Sequence, residues 1–333
     1  VVLMFFKALV SLFLMSSCAS TVDLKTTYNA TLDNYEYPFD VKKIIIKTQK
    51  QNIKMAYMYI KAPTENSKNK SVLLLHGKNF AGFYWKDTAE ILVAKGYDVI
   101  IPDQIGFGKS DKPEYYNFNF TNLALNTKKL LEKLKISHVT VVGHSMGGML
   151  ATKFTKLYSK TVDKLILINP IGLEDYLLYV QPKDTNFFYN LEMNKTATKI
   201  RNYQKENYYA GQWNERYERL IEYSIGQLLH EDYARVAWNN ALAYAPIFNE
   251  PIVDDFKSIQ TPIVLILGTR DTTGPGRGFK KDGVSHSLGD YVSFAKNYKK
   301  IIKNGKVVIL KGLGHMPQFE DFEAFKTVFL AEF

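Results

Sequence analysis

The chain has one cysteine, Cys18, so no internal disulfide can form and the fold must rest on burial and hydrogen bonding. Its six histidines make no zinc-type spacing with cysteine, and no Walker-type glycine loop is present. No metal, nucleotide or other cofactor is therefore implied. Charge of one sign is never concentrated: the net charge of +10 is spread as lysine along the whole length. That pattern reads as a solvated surface, with weak attraction to anionic membrane second to it and no nucleic-acid partner implied. Internal repeats and low-complexity tracts are missing too. The apolar stretch near the N-terminus, Ala8 to Met15, is too short for a membrane span.

What is present can fill a large core. Hydrophobic residues make up 46% of 333 positions, a length that allows one large or two ordinary domains. Apolar runs at Ser71–Leu75, Val139–Val142, Ile263–Leu267 and Val307–Leu310 read as buried strands. Val41 to Lys47 and Ile53 to Lys61 read as a first hairpin. Helical spacing, as from Leu123 to Leu134, alternates with the strands, so a parallel sheet covered on both faces is expected.

The pentapeptide Gly143-His144-Ser145-Met146-Gly147 is the most specific signal. It follows one of those strands and opens a stretch with helical spacing. A strand, a sharp turn and a helix would hold Ser145 Oγ clear of the sheet's carboxyl edge, beside free N–H groups of a helix N-terminus. Serine is a weak nucleophile and needs a base, which in turn needs an orienting acid. Asp271 falls three residues past the Ile263–Gly268 run, and His315 follows the Val307–Leu310 run in Lys311-Gly312-Leu313-Gly314-His315. Both lie beyond strand carboxyl ends, on the edge where Ser145 stands. A turn or cap role is the alternative for Asp271, and His286 is the one rival base downstream of it. An oxyanion needs preorganised donors. The backbone N–H of Met146 supplies one; the loop His76-Gly77-Lys78-Asn79 supplies the other, through Lys78 in preference to Asn79. His76 itself reads as a structural histidine tying that loop down.

With these pieces in place, the chain resembles the α/β-hydrolase superfamily from about Val41 to Phe333. The likeness rests on His76-Gly77 after a strand, the Asp103–Ser110 segment, the Gly143–Gly148 elbow, Asp271 and Gly314-His315. It implies a mostly parallel eight-stranded sheet, helices on both faces and a helical cap after the sixth strand. It also makes Asp103 structural. Serine at the elbow departs from the epoxide hydrolase and dehalogenase pattern, where aspartate stands. Met316 stands where meta-cleavage-product hydrolases often have Trp. The resemblance is to the esterase and C–C hydrolase branch. It implies a serine hydrolase acting on a small-molecule carboxylic ester, with C–C, lactone and thioester cleavage as rivals. A non-catalytic binding module is the other class, and it would be expected to lose a triad member.

Two regions complete the organisation. Residues 171–255 lose buried-strand runs and gain Tyr, Phe and Trp, as expected of a cap over an apolar pocket. Arg201, Tyr209 and Trp213 are candidate substrate contacts there. The core is then 41–170 with 256–333. At the N-terminus, Lys7, the apolar stretch and Ser16-Ser17-Cys18 resemble a bacterial lipoprotein leader over residues 1–20, followed by a tether over 21–40. Lipidation at Cys18 would place the protein outside the cytoplasm, membrane-anchored, facing the periplasm or exterior.

Overall fold

The unbroken apolar runs become strands whose two faces are both covered. The computed structural model describes residues 26–333, so Cys18 and the leader lie outside the described residues. The strands are β1 (Val41–Thr48), β2 (Gln51–Ile60), β3 (Lys70–Leu75), β4 (Tyr97–Pro102), β5 (Val139–His144), β6 (Val162–Ile168), β7 (Ile263–Gly268) and β8 (Gly305–Leu310). They form one sheet in the order β1-β2-β4-β3-β5-β6-β7-β8. β2 runs antiparallel to β1 and β4, and every other pairing is parallel. The first hairpin turns on Gln49 and Lys50, both at positive φ (48° and 59°), the twist that a two-residue hairpin requires.

Alternate residues of each central strand enter different cores. Leu73, Leu75, Leu265 and Leu267 pack with one set of helices, and Val72, Leu74, Val264 and Ile266 with the other. The first set includes α2 (Phe120–Lys133), α3 (Met146–Leu157) and α10 (Tyr291–Ile301); the second includes α1 (Lys86–Ala94) and α12 (Phe322–Leu330). Between β6 and β7 the chain passes through α4 (Thr185–Met193), α5 (Ala197–Tyr208), α6 (Glu215–Leu228), α7 (Tyr233–Leu242), α8 (Tyr244–Asn249) and α9 (Asp255–Ser258). After β8 comes the short α11 (Pro317–Glu320).

Two expectations change. The Val307–Leu310 run is not a buried strand: among the described residues β8 is the outermost strand, paired only with β7, and Ile309 is 39% exposed. The described part of the expected tether, from Thr26 onward, is packed rather than free. Tyr28 and Leu32 are buried, Tyr28 N–H donates to Gly226 O in α6, and Gln227 Nε2 donates to Ala30 O. Its aromatic residues explain this, since burying them outweighs leaving the segment solvated.

Candidate active site

β5 runs straight into the elbow and α3 leaves it, with Ser145 as the α3 N-cap. Ser145 has φ 56° and ψ −123°, a backbone conformation that a residue with a side chain adopts only under constraint. The glycines beside it are required by close approach. A Cβ on Gly147 would lie 2.2 Å from the Leu75 carbonyl oxygen, and one on Gly148 would lie 2.5 Å from Pro170 Cβ. The elbow therefore fits against β3 and Pro170 only with hydrogen at those positions.

The structure brings Ser145, His315 and Asp271 together. His315 Nε2 is 3.0 Å from Ser145 Oγ, and its Nδ1 is 2.8 Å from Asp271 Oδ2. With Nδ1–H donating to the carboxylate, Nε2 is left to accept the serine proton. Asp271 Oδ2 also accepts from Asn169 Nδ2 at 2.6 Å, and Oδ1 accepts from the Thr273 backbone N–H at 2.7 Å. A carboxylate this deeply buried needs such donors. The Met146 N–H stands at the α3 N-terminus, among the donors that a helix leaves unpaired. Lys78 follows Gly77, where an added Cβ would come 3.1 Å from Ser145 Cβ, so the loop carrying the second candidate donor abuts the elbow.

A buried relay joins that loop to His315. Gly77 N–H donates to Tyr84 Oη at 3.2 Å, and Tyr84 lies 3.0 Å from His144 Nδ1. His144 Nε2 lies 2.8 Å from the His315 carbonyl oxygen. The carbonyl can only accept, so Nε2 carries the proton, Nδ1 is the acceptor and Tyr84 donates to it. Burial, reinforced by neighbouring His315, holds the His144 imidazole well below its ordinary pKa, consistent with this neutral form. His76 is similarly structural: Nδ1 meets Gly77 O at 2.9 Å and Nε2 accepts from Gln104 N–H at 3.0 Å. Asp103 accepts from the Gly82 and Lys109 N–H groups and from Tyr37 Oη.

Above the serine lies a cavity of about 420 Å³. Phe107, Ile171, Phe188, Ile247 and Tyr208 are among its walls. Tyr208 lies against the His315 ring, tilted at 34° with centroids 4.6 Å apart, and accepts from Asn79 Nδ2 at 2.8 Å, while Tyr223 Oη donates to Asn79 O at 2.8 Å. The cap thereby pins the loop of Lys78 from above. The sequence-based reading missed Asn169, Tyr84, Tyr208 and the structural part played by His144. Only His144 carried a local signal, its place inside the pentapeptide.

The three cap contacts expected from sequence do not line this cavity. Arg201 makes a paired hydrogen bond to Glu218 (2.7 and 2.5 Å), and Trp213 Nε1 donates to the same carboxylate at 2.8 Å. Tyr209 stacks on Tyr217 at 3.7 Å and is buried. All three fasten α5 to α6 through one carboxylate and one ring pair. The rival base His286 is engaged elsewhere, 2.7 Å from Glu174 and stacked on Tyr179.

Known proteins agree with this architecture. The alpha/beta hydrolase fold family matches residues 70–322. The structure of a "probable hydrolytic enzyme" from Pseudomonas aeruginosa PAO1 is similar, with a TM-score of 0.89 and 36% identity over 92% of this chain and 98% of that one. An esterase from Exiguobacterium antarcticum superposes with a TM-score of 0.66 at 17% identity, covering 87% of this chain and 99% of that one, and shares the fold. Among curated relatives, an uncharacterised protein of Mycobacterium tuberculosis is 35% identical over 121 residues, 36% of this chain and 33% of its own length. The chain thus spans about a third of the curated relatives that it first matches. The sheet order, the serine elbow and the matched span agree: the chain belongs to the α/β-hydrolase family.

Proposed function

We propose that this protein is a serine hydrolase that cleaves carboxylic esters through an acyl-enzyme. The observation that carries the reading is the continuous path from Ser145 Oγ through His315 to Asp271, at 3.0 and 2.8 Å. As Oγ attacks the ester carbonyl carbon, His315 Nε2 takes its proton and Asp271 stabilises the imidazolium. The carbonyl oxygen becomes an oxyanion that the Met146 and Lys78 N–H groups can meet. Collapse expels the alcohol, which leaves with the proton from His315. Water then attacks the acyl-serine by the same route, releasing the acid and restoring the serine. A cavity of about 420 Å³, walled largely by aromatic and aliphatic side chains, suits a medium-sized, mainly apolar body.

Ser145→Ala should lower kcat on p-nitrophenyl butyrate by roughly 10⁴-fold or more, because serine and base act as one unit. It should also abolish labelling by a fluorophosphonate while leaving the circular dichroism spectrum unchanged. Retention of a tenth of wild-type turnover would refute the assignment.

The leader reading is part of the same proposal: a lipid on Cys18, with the globular part outside the cytoplasm. Its support is the apolar stretch that ends in Ser16-Ser17-Cys18. Among the described residues no helix is long and apolar enough to cross a membrane. Mass spectrometry of protein from the native host's membrane fraction should find acylated Cys18; intact, unmodified leader in cytosolic protein would overturn it.

A further inference from the structure

We infer that the cavity over Ser145 reads an anionic group, a carboxylate or a phosphate, on the ester it takes, and that the Lys78 ammonium is the reader. The inference rests on the ester-hydrolase reading of Ser145 and narrows its substrate class. Among the described residues five cationic side chains border the cavity, Lys78, Lys112, Lys195, Lys199 and Arg277, against one carboxylate, Glu192. Four of the five are satisfied at close range. Lys112 Nζ donates to Gly108 O and Ser110 O, and Arg277 to Thr272 O and Leu288 O. Lys199 Nζ donates to Asn194 O at 2.8 Å, and Lys195 pairs with Glu192 Oε2 at 2.6 Å.

Lys78 is different. Its side chain is 8% exposed, and its ammonium's polar contacts are long: 3.4 Å to Glu192 Oε1 and 3.5 Å to Asn240 Oδ1. The ring of Tyr244 lies 3.8 Å beneath it. An ammonium has three N–H donors and prefers partners closer than about 3.2 Å. Lys195 takes Glu192 Oε2 and Lys78 reaches Oε1, so two ammoniums share one carboxylate and positive charge is left over at the cavity wall. Desolvation is the main cause that pushes the Lys78 ammonium down to about 8, against the favourable pull of Glu192. A substrate anion would supply what burial has removed.

Position fixes where that anion stands. Gly77, the residue before Lys78, abuts Ser145, while the Lys78 side chain rises to α4, α7 and α8, which carry Glu192, Asn240 and Tyr244. The substrate's charge therefore lies one lysine side chain from the scissile carbonyl, and the apolar walls hold the carbon chain between them. The same residue would offer its N–H to the oxyanion and its ammonium to the far end of the substrate.

The test compares kcat/KM for three matched esters, methyl hexanoate, monomethyl adipate and methyl 6-phosphooxyhexanoate, in wild type, Lys78→Met and Glu192→Gln. Wild type should prefer at least one anionic ester tenfold or more, and which of the two it prefers separates carboxylate from phosphate. Lys78→Met should lower that preference at least tenfold, and Glu192→Gln should raise it by freeing the cation from its competitor. If Lys78 merely held the cap, both ester classes would fall together and the ratio would stay put, which overturns the inference. A wild-type ratio near one, with Ser145-dependent hydrolysis of methyl hexanoate intact, overturns the inference and spares the ester-hydrolase reading. Absence of all Ser145-dependent turnover and of fluorophosphonate labelling overturns both. Should Lys78→Met fail to fold, the wild-type ratio and its direction of change in Glu192→Gln decide.

Discussion

Asn169 follows the last residue of β6 at φ 40°, and its amide makes contacts in three directions. Nδ2 donates to Asp271 Oδ2 at 2.6 Å and to Gly314 O at 3.0 Å, while Oδ1 accepts from Gly268 N–H at 3.1 Å. It thereby fixes Asp271, the loop of His315 and the end of β7 to one another. Removing a hydrogen bond to a charged group costs about 1.5–3 kcal/mol. Asn169→Ala should therefore lower kcat by roughly 10- to 100-fold through misplacement of Asp271. Asn169→Asp should do worse, because it sets a second carboxylate against the first. Steady-state kinetics with a melting curve checks both; wild-type kcat in a folded Asn169→Ala protein would remove the residue from the machinery. That Ser145, Asp271 and His315 come together could be read from the sequence because each sits just after an apolar strand, a local pattern. Asn169 follows a strand too, but its function depends on partners 102 and 145 residues away. Nothing in its neighbourhood marks them. The Lys78–Glu192 pair, separated by 114 residues, was hidden for the same reason.

Strands in the middle of the sheet were legible as elements because burial on both faces demands an unbroken apolar run. β8 has the same composition, and its edge place follows from strand order, which composition does not encode. Cap helices posed a related ambiguity. Aromatic spacing on α5 and α6 marks a buried stripe without saying whether that stripe faces the cavity or the neighbouring helix. Arg201, Tyr209 and Trp213 face the neighbour. The segment from Thr26 to Pro38 looked like a tether because it lacks periodicity, yet it behaves as a strap. Tyr35 packs its ring against Tyr28, Phe83 and Tyr223, with centroids 5.1, 5.2 and 6.1 Å away. Tyr223 belongs to the cap and donates to Asn79 beside the elbow, so the strap supports the loop that carries Lys78. Tyr35→Ala should destabilise the protein by about 2–4 kcal/mol through the lost ring contacts and the cavity left behind. Limited proteolysis should then cut the cap sooner than in wild type, and an unchanged cleavage pattern would mean that the strap does not hold it.

At the scale of the whole molecule, the excess of positive charge reaches inside. Lys112 is 1% exposed, donates to Gly108 O and Ser110 O, and serves the same loop that Asp103 and Ser110 organise. Burial, its largest influence, pushes the Lys112 ammonium down to about 7, against the opposing pull of Asp103 and Asp111. The unfolded chain holds that proton up to the ordinary lysine range, roughly 10.4. Between those limits the unfolded state binds more protons than the native one, so this group's contribution to stability rises with pH. It is fully present above the ordinary range and lost as pH falls through about 7. Buried tyrosines set the upper bound, since Tyr84, Tyr176 and Tyr244 are raised well above their ordinary value, chiefly by burial. They stabilise the native state below about pH 10 and work against it beyond, where only the unfolded chain ionises. Lys112→Met removes the titration and the two carbonyl contacts. The unfolding free energy of wild type minus that of Lys112→Met should therefore grow between pH 7 and 9.5, by at most about 1.4 kcal/mol per unit. Urea denaturation of both proteins at the two pH values measures it. A difference that is flat or shrinks with pH would show that Lys112 keeps its proton in the native state, held by the two carbonyls and the nearby carboxylates despite its burial.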